Sequence, residues 1–175
     1  MNSTARQNIL KNVLFVFILL FLYVLQSVPG LFVIYGVKPF LTIPAAIAIA
    51  MFEGEFAGGV YGAVAGLLCD MGGLLLFGYN GFITAACCIA AGLLIIHLIR
   101  CNIFAFLLFA VFTMMLRGTV EYFFAYGMWN HLDASRIFLS VTLPTALYSV
   151  IAGIPLFFLL RGMHRRFPVP EGDEV

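Results

Sequence analysis

The chain has 175 residues, 63% of them hydrophobic and only 10% charged, with a mean hydropathy of +1.10. Ordinary globular domains are about half apolar and about a quarter charged, so a water-soluble fold could not hide this much apolar surface. With a net charge of +1, no nucleic-acid partner is expected, and the placement of the basic residues matters more than their total.

Arg6 and Lys11 precede the first apolar run, as in a signal peptide. That run closes in Gln26-Ser27-Val28-Pro29-Gly30 with no small-x-small cleavage site, so it is expected to remain as a first span over residues 12–28. Proline removes a backbone donor and glycine relaxes the chain, which ends the helix there. A short apolar connection leads to a second span, 40–52, too short to cross a bilayer upright. It must tilt into its flanks or be partly buried between neighbours.

Glu53-Gly54-Glu55 makes a tight polar turn into a glycine-rich third span, 56–76. Gly78, Asn80 and Gly81 close a loop before the fourth, 82–99. The fifth covers 103–128, followed by the longest polar connection around Trp129 to Asp133, and the sixth covers 137–160. The expected fold is all-α: a polytopic six-helix transmembrane bundle in a single domain, 1–166, with a flexible tail, 167–175.

Arg6, Lys11, Arg100, Arg161, Arg165 and Arg166 fall on one side of this arrangement, and Lys38 and Arg136 on the other. The excess orients both termini to the cytoplasm. Tyr122, Tyr126 and Trp129 then mark the outer interface of the fifth span.

The most specific pattern is the stripe Gly54, Gly58, Gly62, Gly66 and Asp70, each four residues after the last. Small residues at this spacing let two backbones approach within lipid, where little hydrophobic drive acts between helices. The stripe drifts by roughly 40° per step, so its partner helix should cross at an angle. A homodimer through these glycines is one use of such a face.

Asp70 lies about 21 Å along the third helix from Phe56, at about 1.5 Å per residue. A carboxylate there is costly unless paired, neutral or wetted. It reads either as an interfacial group that snorkels and caps the following turn, or as a buried structural or functional partner. Arg117 lies at matching depth on the fifth span, one turn from Glu121 on the same face. The pair reads either as self-contained near the interface or as facing the bundle, with Asp70 as a cross-helix partner of Arg117. Thr142 and Thr145, with Pro144 between them, would form a small outer recess or a packing seam.

His97, His131 and His164 lie at helix ends or in loops without companion ligands, and Cys69, Cys87, Cys88 and Cys101 lack the paired spacings of zinc or redox sites. No metal and no cofactor is expected. Intramembrane proteolysis would need a second deep aspartate or a serine–histidine pair, and no such set is legible. No catalytic residue is expected and the chain does not read as an enzyme.

Gln26-Ser27, Gly36-Val37-Lys38-Pro39, the glycine stripe running into Gly66-Leu67-Leu68-Cys69-Asp70, and Gly78 together resemble the MreD family of rod shape-determining membrane proteins. The resemblance covers most of the first half. It departs at Phe40, where the family often carries an acidic residue, and it does not reach Arg117 or Glu121. It implies a non-catalytic scaffold of the bacterial cell-elongation complex, multi-pass in the cytoplasmic (inner) membrane and acting in cell-shape determination and peptidoglycan synthesis. The implied partner is MreC, with the actin-like MreB, RodA and a class B penicillin-binding protein in the wider complex, besides the lipid bilayer itself.

That family's fold is similar to the substrate-binding subunits of energy-coupling-factor vitamin transporters, which form the alternative reading. Those subunits commonly carry small residues at four-residue spacing on the first helix. Here Val13 to Val28 is bulky throughout except for Ser27.

Overall fold

The computed structural model describes residues 3–28, 30, 37–72, 77–98, 101–124 and 142–166. These form six helices and no strand: α1 (Ser3–Ser27), α2 (Thr42–Glu53), α3 (Glu55–Met71), α4 (Tyr79–His97), α5 (Ile103–Tyr122) and α6 (Leu143–Arg166). Four of them are long and apolar enough to cross a membrane: α1 over Ile9–Ser27, α4, α5, and α6 over Leu143–His164.

Helix α2 is the axis of the bundle. It touches each of the other five helices, and its residues from Thr42 to Met51 are all buried. Its Ala45, Ala46, Ala48 and Ala50 are small enough for neighbours to pack close on every side. At 12 residues it is only about 18 Å long. That is short against a hydrocarbon core of about 30 Å, but a helix enclosed by protein presents no backbone to lipid and need not span it.

The expected limits move by one or two residues at α2, which is Thr42–Glu53, and at the end of α4, which is His97, and more informatively in four places. Helix α1 begins nine residues before 12, at Ser3. Asn80 and Gly81 belong to the first turn of α4 rather than to a loop, because Gly78 (φ +99°) already makes the left-handed turn that starts it. Helix α3 ends at Met71. Helix α6 runs six residues past 160, to Arg166. The expected start of the sixth span, 137–141, the markers Tyr126 and Trp129, the 129–133 connection and the tail lie outside the described residues.

The glycine stripe is used inside the chain. Gly54 stands apart from the helical face: it is the single residue between α2 and α3, with φ +88°, a turn that lets α3 fold back along α2. A methyl group on Gly58 would lie 2.6 Å from Ala50 Cβ of α2. On Gly62 it would lie 2.9 Å from Cys88 Cβ of α4, and on Gly66 2.5 Å from Gly81 Cα. Helix α4 answers with Gly92, whose added Cβ would lie 2.7 Å from Glu55 Cα. The close approach of α3 and α4 thus rests on glycine from both helices, and the face that could have met a second copy is covered by α2 and α4.

Candidate functional site

Successive helices alternate in direction, so the bundle has a Glu53 end and an Asp70 end. At the Glu53 end, Lys11 Nζ of α1 donates to Glu53 Oε2 at 2.5 Å, and His164 Nδ1 of α6 lies 2.9 Å from Glu53 Oε1. The Lys11 and Glu53 side chains are 5% and 8% exposed, so both charges are withdrawn from solvent and depend on each other. Phe52 stacks on the His164 ring at 5.4 Å and continues into Phe157 and Phe106. Lys11 therefore does more than supply orienting charge, and His164 meets Glu53 across the bundle.

The Asp70 end is built differently. Asp70 Oδ2 accepts from the backbone N–H of Gly78 at 2.9 Å and of Gly81 at 3.2 Å, and Oδ1 accepts from Asn80 N–H at 3.4 Å. The carboxylate therefore caps the N-terminus of α4, where donors are otherwise orphaned and the helix dipole is positive. Asp70 is 6% exposed, so it caps while buried, joining features of the two sequence readings.

Arg117 is also 6% exposed. Its NH2 lies 3.2 Å from Glu121 Oε2, its Nε donates to Asn80 Oδ1 at 2.6 Å, and its guanidinium carbon sits 3.8 Å from the centre of the Phe40 ring, a cation–π contact. No direct ion pair joins Asp70 and Arg117 among the described residues. Asn80 stands between them, its N–H on Asp70 and its amide oxygen on Arg117.

Gln26, at the end of α1, plays the matching part for α2. Its Oε1 accepts from Leu41 N at 3.0 Å, Thr42 N at 3.3 Å and Thr42 Oγ1 at 2.8 Å. Phe40 N–H donates to Ser149 Oγ of α6 at 2.7 Å, and that hydroxyl donates to Thr145 O at 2.6 Å. Two of the helix starts at this end, those of α2 and α4, are thus capped by side chains from other helices.

Between these caps lies a half-open cavity of about 410 Å³. Its polar walls come from Gln26, Lys38, Asp70, Asn80, Arg117 and Glu121, and its aromatic ones from Tyr23, Phe40 and Tyr79. Thr142 and Thr145 do not line it. Thr142 packs its methyl against Gly118 of α5, and the Thr145 carbonyl accepts from the Ser149 hydroxyl within α6. A second hollow of about 510 Å³, between α4 and α5, is walled by Ala86, Ala90, Leu94, Leu108, Phe112 and other hydrocarbon groups, as suits a surface against lipid tails.

Sequence reasoning found Asp70, Arg117 and Glu121 but left out Lys38, Asn80, Tyr23 and Tyr79. A polar residue at the edge of an apolar run was the available signal, and Asn80 and Gln26 both have it.

The fold and site define an all-helical protein, with helices long enough to cross a membrane and a polar cavity at one end. No family model, curated protein or solved structure matches the chain.

Proposed function

We propose that this chain is a non-catalytic scaffold of the rod, or elongation, complex of the bacterial cytoplasmic membrane. On this reading it crosses the bilayer as a six-helix bundle with both termini in the cytoplasm, binds MreC, and through MreC joins MreB, RodA and a class B penicillin-binding protein in shape-determining peptidoglycan synthesis. The Asp70 end then faces outward.

One observation carries the reading: residues that make up the resemblance to the MreD family act together. Gln26 caps α2, Gly58, Gly62 and Gly66 bring α3 against α2 and α4, Asp70 caps α4, and Gly78 makes the turn before it. These residues lie up to 52 positions apart by their own numbers, from 26 to 78, and each holds a helix start, a turn or a close helix approach. Asp70 is engaged with backbone donors, as suits a group that holds a shape.

The test is depletion in the native cell. Rounding of rods with vitamin uptake unchanged, and co-purification with MreC, is the expected result; normal shape with lost uptake of a vitamin would replace this reading. The cavity favours that second reading, a substrate-binding subunit of an energy-coupling-factor transporter, since such a subunit needs an open polar pocket at one end.

A further inference from the structure

We infer that the cavity at the Asp70 end is a binding site for a phosphate ester of one net negative charge, held by Lys38 and most readily supplied by an anionic lipid headgroup. The inference goes beyond the scaffold reading and stands whether or not that reading holds.

The argument begins with charge. Four ionic side chains line the cavity, two of each sign. Asp70 is compensated by three backbone N–H groups at the start of α4, and Arg117 by Glu121 at 3.2 Å. Lys38 has no carboxylate partner among the described residues; its ammonium reaches only the Ser27 carbonyl, at 3.5 Å. The four charges sum to zero, but Lys38 is the ionic side chain of the wall that has neither a charged nor a helix-terminal partner among the described residues, which leaves it the group that can take an anion.

The second step is donor geometry. Arg117 spends its Nε on Asn80 and its face on Phe40, so it cannot offer a clean fork to a carboxylate. A lysine ammonium acts as a point charge for phosphate oxygens. Gln26, Ser27 and Asn80 and the Tyr23 and Tyr79 hydroxyls add uncharged polar groups beside the apolar Phe40 and Cys69, which suits a hydroxylated ester arm.

Depth is the third step. Ser27, Tyr79 and Tyr122 are the ends of three of the apolar spans, and Gln26, Ser27, Asn80 and Glu121 from those same ends line the cavity. A bilayer fitted to those spans puts its phosphates at the cavity mouth.

The experiment uses the full chain in lipid-free detergent, with binding followed by isothermal calorimetry and by the shift in unfolding temperature. The probes are short-chain phosphatidylglycerol, phosphatidylcholine with the same chains, and glycerophosphoglycerol, which has the headgroup without the chains. Saturable binding of phosphatidylglycerol is expected, with phosphatidylcholine at least about tenfold weaker. Lys38→Gln should weaken binding about tenfold, the scale of one charge-assisted hydrogen bond, while Lys38→Arg retains it. Glu121→Gln, which removes a rim carboxylate 40% exposed, should strengthen it, a sign that a merely misfolded variant would not give. Equal binding of glycerophosphoglycerol would support the site and make its source a soluble phosphodiester; binding of the lipid alone makes it the membrane. No saturable binding of either, equal affinity for phosphatidylcholine, or an unchanged affinity in Lys38→Gln would overturn the inference.

Discussion

Each end of this bundle buries a carboxylate, and the two are compensated in opposite ways. Glu53 is held by the Lys11 ammonium and the His164 ring, 42 and 111 residues distant in sequence, on α1 and α6. Asp70 is held by backbone N–H groups only 8 to 11 residues ahead, on the next helix. The first is a clamp across the bundle whose parts are useless singly. The second is a latch between neighbours that exploits the unsatisfied donors every helix start possesses. A buried charge pair ties α1 to α2 at the Glu53 end. A latch leaves side-chain donors over, and at the Asp70 end these surround open space.

The sharpest way to break this comparison is to remove one partner of the clamp. Glu53→Ala strands the Lys11 ammonium in an apolar interior and should cost about 3–5 kcal/mol, the scale for uncoupling a buried ion pair, read as a fall in the unfolding temperature of the detergent-solubilised protein. The Lys11→Met/Glu53→Met double variant should be milder than either single change, because replacing a whole buried pair by apolar groups is close to neutral. Equal or additive damage would mean that the two residues act independently.

Gly66→Ala comes next. Its methyl group would meet the Asn80 and Gly81 backbone, which has no rotamer to give, so a loss of about 1–3 kcal/mol is expected by overpacking. Gly59→Ala meets only the Ile89 side chain, 2.7 Å from Cγ1 and 3.0 Å from Cδ1, a side chain that can shift where backbone cannot, and should unfold at a distinctly higher temperature than Gly66→Ala. The reverse order would show that the α3–α4 approach does not govern the latch.

Asp70→Asn keeps the shape but weakens the cap, at about 1–2 kcal/mol on the scale of N-cap losses. Combining Asp70→Arg with Arg117→Asp should recover nothing, since an arginine at 70 would face three N–H donors. Recovery in that double variant would restore a direct Asp70–Arg117 pair and erase the difference between the two ends.

Legibility followed chemical locality. The glycine spacing announced a close helix approach because four residues return to one helical face, and the depth of Asp70 and Arg117 marked them as costly groups in need of company. The identity of that company was not legible: Asn80, read as part of a loop, is the bridge between them. Lys11, Glu53 and His164 each look ordinary in their own stretch of chain, a flanking cation, a turn acid and a histidine near a basic cluster. Only their meeting makes them a site. Lys38 carried an orienting charge in the sequence and gains a second meaning from the cavity it lines.

The sequence by itself determined the solvent this chain is built for, the all-helical class, the approximate number of helices and which helix could be approached most closely. All of these depend on composition and on periodicity over a few turns, where backbone hydrogen bonding and transfer from water set the outcome. Tertiary structure alone decided that the shortest helix is the enclosed axis, that the glycine face is spent on α2 and α4, and that one buried acid is clamped while the other caps. Those outcomes depend on which side chains from distant segments arrive at one place, and the cost of burying a charge is settled only by what arrives.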